Sequence, residues 1–136
     1  MIPEEIKLEE KNIQSWIDFA EEDLSTAEWC LQGDKFLWSM TMCQQAIEKI
    51  IKALYIKNMD EIPEKTHNLR KLATDTNLIT EFSEETKILL DDLLIYYFAS
   101  RYPDKRKKLL INSSKEYFQE TFNKTKEVYS WVKNKL

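Results

Sequence analysis

Residues 40–54, with the sequence MTMCQQAIEKIIKAL, constrain the fold more than any other part of the chain. At about 100° per residue, their apolar side chains fall within one broad arc of a helix. The arc contains Phe36, Met40, Cys43, Ile47, Ile50, Ile51 and Leu54. The remaining strip is polar and contains Gln45, Glu48, Lys49 and Lys52. We expect this helix at the centre of a bundle, with the polar strip either facing water or forming part of a functional site.

Other stretches also repeat apolar residues at helical spacing. They predict long helices at about residues 12–32, 84–102 and from 113 to the end, and a short helix around Leu69 and Leu72. One glycine and three prolines in 136 residues supply few of the turns that a multi-stranded sheet needs. The prediction is an all-α fold, an antiparallel up-and-down four-helix bundle with one additional short helix. It forms a single domain over residues 1–136, in which residues 1–11 are disordered or loosely docked.

Bulk composition excludes several classes of protein. The net charge of −4 argues against non-specific nucleic-acid binding by the whole chain, although a local basic patch stays compatible with it. No apolar run approaches the roughly 20 residues that span a bilayer, and the first residues are polar and acidic, unlike a signal peptide. Two cysteines and one histidine are too few for a zinc site, so we expect reduced thiols in a cytoplasmic protein without metal, cofactor or membrane contact.

Asp23 breaks the pattern of the first helix, because its carboxylate projects from the middle of the apolar face. Burying it without a partner would cost several kcal/mol. We therefore expect a cation from a neighbouring helix, either Lys49 or Arg101, to pair with it. Asp23 then forms a structural salt bridge, or occupies a tilted, half-wet position, or belongs to a polar cluster at a site.

Tyr97 and Arg101 are four residues apart, so they share one face near a helix end. A basic run, Lys105-Arg106-Lys107-Lys108, follows at once and is either a solvated loop or a set of phosphate contacts. Thr66 is expected to cap the short helix, with His67 in its first turn. In that position we interpret His67 as a capping or surface residue, since no partner for catalysis is visible in the sequence.

Four short patterns occur in order along roughly residues 13–136. They are Trp16 with Ala20, Asp23, Leu24 and Ala27; Cys43-Gln44-Gln45-Ala46 with Glu48-Lys49 and Lys52-Ala53-Leu54; Thr66-His67-Asn68-Leu69; and Tyr97 with Arg101-Tyr102-Pro103-Asp104. Through these patterns the chain resembles the HEPN domain family (higher eukaryotes and prokaryotes nucleotide-binding), in its small stand-alone prokaryotic form. The resemblance implies a bundle of four or five helices that often forms homodimers.

Many members of that family are ribonucleases, often toxins encoded beside a minimal nucleotidyltransferase, and others are non-catalytic nucleotide- or RNA-binding modules. The ribonucleases carry Arg, then four to six residues, then His. Arg101 matches the arginine, but no histidine follows His67 anywhere in the chain. The resemblance therefore implies a nucleotide- or RNA-binding homodimer that partners a nucleotidyltransferase in a toxin–antitoxin-like system.

The residues implied for this function fall into three groups. The phosphate-binding candidates are Arg101, Lys49, Lys52, Lys105, Arg106 and Gln45. The catalytic candidates are Arg101 and Tyr97, and the structural polar cluster contains Asp23 and Glu48. Whether the chain is an enzyme stays open. One alternative is a ribonuclease toxin with a degenerate site around Arg101 that uses Tyr97 with Tyr102 or Asp104; another is a non-catalytic structural or dimerisation module.

Overall fold

The computed structural model describes residues 10–102, 104 and 113–136. These residues form five α-helices and one short 3-10 helix, and no β-strand occurs among them. The α-helices are α1 (Ile13–Gln32), α2 (Phe36–Met59), α3 (Leu69–Asp75), α4 (Glu84–Ala99) and α5 (Lys115–Lys133), with the 3-10 helix (Leu78–Thr80) after α3. The predicted all-α class, with four long helices and one short helix, is confirmed for this part of the chain.

Helix α2 is the central element, because it contacts each of the other four α-helices. The predicted apolar arc is confirmed: Met40, Cys43, Ile47, Ile50 and Ile51 are all 0% exposed. Burial of each large aliphatic side chain stabilises the fold by roughly 1.5–3 kcal/mol. Hydrophobic burial therefore fixes which way α2 faces, and with it the direction in which the polar strip points.

Helices α1 and α2 run antiparallel. Near the connection between them, the Ser39 hydroxyl donates a 2.7 Å hydrogen bond to the main-chain carbonyl of Ala27. At the far end of the pair, the Lys52 ammonium lies 5.6 Å from the ring centre of Trp16. The start of α1 thus packs beside the second half of α2 and covers part of the polar strip.

Side-chain caps define where the later helices begin. Asn68 caps α3 by accepting the main-chain N–H of Lys71, and Ser83 and Ser114 cap α4 and α5 in the same way. The expectation that Thr66 caps α3 is wrong, since its hydroxyl instead accepts the N–H of Asn68. His67 consequently lies before the helix and not in its first turn. No helix of the described residues has the length and apolarity to cross a bilayer.

Candidate functional site

The polar strip of α2 is largely buried within the chain. Glu48 is 4% exposed and Lys52 is 6% exposed, while Gln45 and Lys49 are half-buried. Gln44, which precedes this strip in the sequence, is also completely buried. The alternative that this strip faces water is therefore wrong for Glu48 and Lys52.

The Glu48 carboxylate has hydrogen-bond partners at both oxygens. Its Oε1 accepts from Nε2 of Gln44 at 3.1 Å and lies 2.8 Å from Nδ1 of His67. Its Oε2 accepts from the Lys52 ammonium at 3.2 Å. A buried carboxylate is tolerated only when it is paired and hydrogen-bonded, and Glu48 meets both conditions.

This network orients the imidazole of His67. Because Gln44 and Lys52 donate to Glu48, the carboxylate acts as an acceptor and Nδ1 of His67 acts as the donor. Gln44 also donates to the main-chain carbonyl of His67 at 2.9 Å, which fixes the backbone at this residue. The Nε2 atom has no hydrogen-bond partner in the part of the chain that the structure describes, and the side chain is 49% exposed. In the neutral ring, Nε2 is then the nitrogen that carries the lone pair.

Tyr97 connects His67 with Arg101. The imidazole and phenol ring centres are 4.5 Å apart, and Cζ of Arg101 lies 3.9 Å from the centre of the phenol ring. Arg101 also donates to the Tyr97 carbonyl at 3.3 Å and to the Ser100 hydroxyl at 3.0 Å. His67 thus contacts Glu48 and Tyr97 together, through contacts between distant segments that the sequence does not show.

Burial raises the pKa of the Tyr97 phenol; the charge of Arg101 opposes this rise and that of Glu48 adds to it. The phenol therefore stays protonated near neutral pH. Tyr97 is 4% exposed, and its ring contacts the His67 imidazole and the Arg101 guanidinium. Its protonated hydroxyl is unsuited to act as a base at that pH.

Arg101 differs from the other cations of this cluster. Its side chain is exposed, and none of the described carboxylates lies within ion-pair distance of it. Lys52, in contrast, is held by Glu48 with its side chain 7% exposed. Among the described residues, the Arg101 guanidinium and Nε2 of His67 thus keep unused hydrogen-bonding capacity.

Asp23 pairs with Lys49, one of the two cations expected for it, and both side chains are 20% exposed. Lys49 also donates to Oε1 of Gln45 at 3.3 Å, and Gln45 donates to Oε1 of Gln44 at 2.6 Å. A continuous hydrogen-bonded path therefore runs from α1 through α2 to the segment before α3. It contains Asp23, Lys49, Gln45, Gln44, Glu48 and His67.

Four further candidate residues follow Arg101 in the sequence. Lys105 and Arg106 lie outside the described residues. Tyr102 and Asp104 are exposed. No group of three His, Cys, Asp or Glu side chains that could hold a metal ion occurs among residues 10–102, 104 and 113–136. What the structure brings together is an oriented imidazole, an aromatic ring and an exposed guanidinium.

Sequence reasoning missed His67 and Gln44 as site residues. Both belong to the four short patterns, but their positions alone do not show that they meet. Glu48 and His67 are 19 residues apart, and the second half of α2 and a stretch without regular structure lie between them. The sequence does contain one indication of this site, because the single histidine of the chain falls within one of the four short patterns.

Comparisons with known proteins agree with this fold. The family model described as HEPN domain matches residues 13–135. The crystal structure of TT1696 from Thermus thermophilus superposes with a TM-score of 0.75 at 21% sequence identity, over 91% of this chain and 98% of that chain. At that identity the likeness concerns the fold alone. Curated protein sequences gave no match.

Proposed function

The chain belongs to the HEPN domain family, and we propose that it binds a nucleotide or single-stranded RNA through a phosphate site centred on Arg101. The supporting observation is the exposed Arg101 guanidinium, which stacks on Tyr97 and has no described carboxylate partner. A guanidinium presents a planar fork of donors that matches two phosphate oxygens. Stacking on an aromatic ring holds this fork in place before the ligand arrives.

The other phosphate-binding candidates have different parts in this proposal. Lys49 and Gln45 are half-buried, are held by Asp23 and Gln44, and belong to the hydrogen-bonded path that leads to Glu48. Lys52 is the counter-ion of Glu48 and contributes indirectly, by keeping that carboxylate in place. Lys105 and Arg106 follow Arg101 in the sequence and supply further cations in this proposal. A short local cluster of this kind suits a small ligand or a few nucleotides, since the chain as a whole is acidic.

Fluorescence anisotropy with a labelled single-stranded RNA tests the site, together with calorimetric titration of ATP and GTP. Arg101→Ala is expected to weaken binding by about 10- to 100-fold, because it removes charge-assisted hydrogen bonds to phosphate. The matched control is Arg70→Ala, since Arg70 is also an exposed arginine but already holds Asp91 through bonds of 2.7 and 2.9 Å. This variant should bind like the wild type.

Absence of binding to RNA, ATP and GTP would refute the phosphate site. An equal loss of affinity in the Arg101 and Arg70 variants would also refute the phosphate site. Such a result would mean that binding depends on the overall charge of the chain. A purely structural or dimerisation module gives the first of these results, so the same titration separates the two classes of function.

The proposal includes a minimal nucleotidyltransferase as the partner, in a toxin–antitoxin-like pair. Its support is the family, in which stand-alone members are often encoded beside such an enzyme. Co-expression with the product of the adjacent reading frame, followed by affinity purification of the tagged chain, tests the partnership. A stable complex supports it, and an adjacent frame of another class, or separate elution of the two proteins, argues against it.

We further propose a homodimer in which each copy is one domain, built as an up-and-down bundle of α1, α2, α4 and α5. Helix α4 supports the dimer, because Ile88, Ile95 and Phe98 are each about half exposed along one stripe. Exposed apolar stripes of this kind are typical of interaction surfaces. Light scattering of the purified chain gives the mass directly, and a monomer at all concentrations would contradict this part of the proposal.

A further inference from the structure

We infer that the groove between the start of α4 and the second half of α5 binds a linear aliphatic diamine. This α4–α5 groove contains a hollow of about 290 Å³ and is lined by residues 81–83, Thr86, Glu127, Val128 and Trp131. It is separate from the phosphate site, because Arg101 follows the opposite end of α4. The observation that carries the inference is an ammonium group of the chain itself, from Lys135, which already contacts two of the lining residues.

The apolar wall of the groove consists of Phe82, Val128 and Trp131. Phe82 and Val128 are each 9% exposed, whereas Trp131 is 37% exposed. The ring centres of Phe82 and Trp131 lie 5.4 Å apart, so the indole is packed and yet keeps part of its surface accessible. An accessible indole can contact both a cation and the methylene groups next to it. The wall therefore suits an alkylammonium better than a purely polar ion.

The chain itself shows that this part of the groove binds an ammonium. The Lys135 ammonium lies 4.3 Å from the ring centre of Trp131 and 3.3 Å from Oε1 of Glu81. Both side chains of the ion pair are partly exposed, and such a pair contributes little to stability. Lys135 is also not among the residues that line the hollow. A ligand can therefore enter beside Trp131 and take the place of Lys135 at little cost to the fold.

The groove offers a second carboxylate on another element. Glu81 precedes α4, whereas Glu127 belongs to α5. Glu127 is exposed, and none of the ion pairs among the described residues includes it. It is therefore available to a cation that comes from outside the chain.

The groove lies in a region of negative charge. Lys124, where the groove continues along α5, pairs with Glu85 at 2.9 Å. This hydrogen bond raises the pKa of Lys124, and the charges of Glu85, Glu120 and Asp92 add to the rise. Glu84 and Glu85 also occupy the first turn of α4, where they offset the positive end of the helix dipole. The charge of the groove therefore favours a cation over a phosphate.

Two carboxylates beside one apolar wall are complementary to two ammonium groups joined by methylene groups. One ammonium then pairs with Glu81 and contacts Trp131, and the other pairs with Glu127. Pockets for drug-sized molecules measure roughly 300–1,000 Å³, so the hollow suits a smaller ligand. A short diamine meets these conditions of charge, shape and size together.

Calorimetric titration of the full chain tests the inference with three probes of similar length. They are 1,4-diaminobutane, n-butylamine and 1,4-butanediol, which carry two, one and no ammonium groups. The diamine should bind, butylamine should bind about 10-fold more weakly because it lacks one charge-assisted hydrogen bond, and the diol should give no heat of binding. Glu127→Gln should lower the affinity for the diamine to that for butylamine. Glu116→Gln, which changes an exposed carboxylate of the same helix outside the groove, is the matched control and should bind like wild type.

A second pair of variants tests the part of Lys135. Lys135→Ala should tighten diamine binding by about 2- to 30-fold, because it frees Trp131 and Glu81 for the ligand. Lys126→Ala removes the same charge from the same helix and also a lysine beside an aromatic ring, at 5.2 Å from the centre of Phe122. Lys126 does not line the groove, so this control should leave the affinity unchanged. Trp131→Leu should weaken binding while it keeps an apolar side chain in the wall.

Several results would overturn the inference. Absence of diamine binding rejects the site. Equal affinities for diamine and butylamine reject the diamine and indicate a site for a single alkylammonium, such as a lysine side chain of another protein. Equal gains in Lys135→Ala and Lys126→Ala, or unchanged binding in Glu127→Gln, reject the assigned residues. Arg101→Ala should bind the diamine like wild type, so failure of this site and failure of the phosphate site are distinguishable. Melting curves show whether each variant is folded.

Discussion

Nδ1 of His67 lies 2.8 Å from Oε1 of Glu48, although 19 residues separate them in the chain. The contact fastens the segment before α3 to the middle of α2. The same carboxylate also binds Lys52, whose ammonium lies 3.2 Å from Oε2 of Glu48. A single buried charge thereby links the central helix, an exposed imidazole and an internal counter-ion.

Glu48→Gln should destabilise the protein by about 3 kcal/mol, because it leaves the Lys52 ammonium buried without a negative charge. Both side chains are almost inaccessible, at 6% and 7% exposed, so water cannot replace the lost partner. Equilibrium unfolding in urea measures the free energy of unfolding directly.

Two control variants distinguish charge from packing. Asp91→Asn removes a carboxylate from an exposed ion pair with Arg70 and should change stability little. The double variant Glu48→Gln/Lys52→Met should regain most of the stability lost in Glu48→Gln, since no unpaired charge remains. If the single variant is as stable as wild type, the carboxylate does not carry a buried charge.

Much of the fold could be predicted from the sequence because burial in a helix is periodic and local. The arc of α2 shows this well: side chains at Met40, Ile47 and Ile50 were expected in the core and are fully buried. The resemblance to the HEPN domain family, drawn from four short patterns, is also confirmed. Both results depend on residues close in sequence, whose relative positions a helix fixes.

The candidate site could be predicted only in part, because its contacts join distant segments. The polar strip of α2 is buried since Trp16 of α1 and the segment that contains His67 lie against it. No periodic pattern shows where a segment without regular structure will pack. The sequence leaves two candidate partners for Asp23, which are Lys49 and Arg101. The packing of α1 against α2 selects Lys49.

Asp23→Asn should lower stability by roughly 1–2 kcal/mol, because it breaks an ion pair whose side chains are each 20% exposed. The expected loss is smaller than for Glu48, since water reaches both Asp23 and Lys49. Glu22→Gln is the matched control, as Glu22 is an exposed carboxylate one residue away. Thermal melting compares the two variants. Equal melting temperatures would mean that the pair between α1 and α2 contributes nothing to stability.

Tyr97→Phe should bind RNA like wild type, whereas Tyr97→Ala should bind about 2- to 30-fold more weakly. The reason is that the phenol ring, and not its hydroxyl, contacts both His67 and Arg101. Burial raises the pKa of Tyr97, so the hydroxyl stays protonated and the phenylalanine variant loses no base. Anisotropy titrations beside melting curves separate the loss of support for Arg101 from the cavity that alanine leaves, which costs about 3 kcal/mol of stability. A large loss of binding in Tyr97→Phe would instead place the hydroxyl on the ligand and contradict the role of the ring as a support.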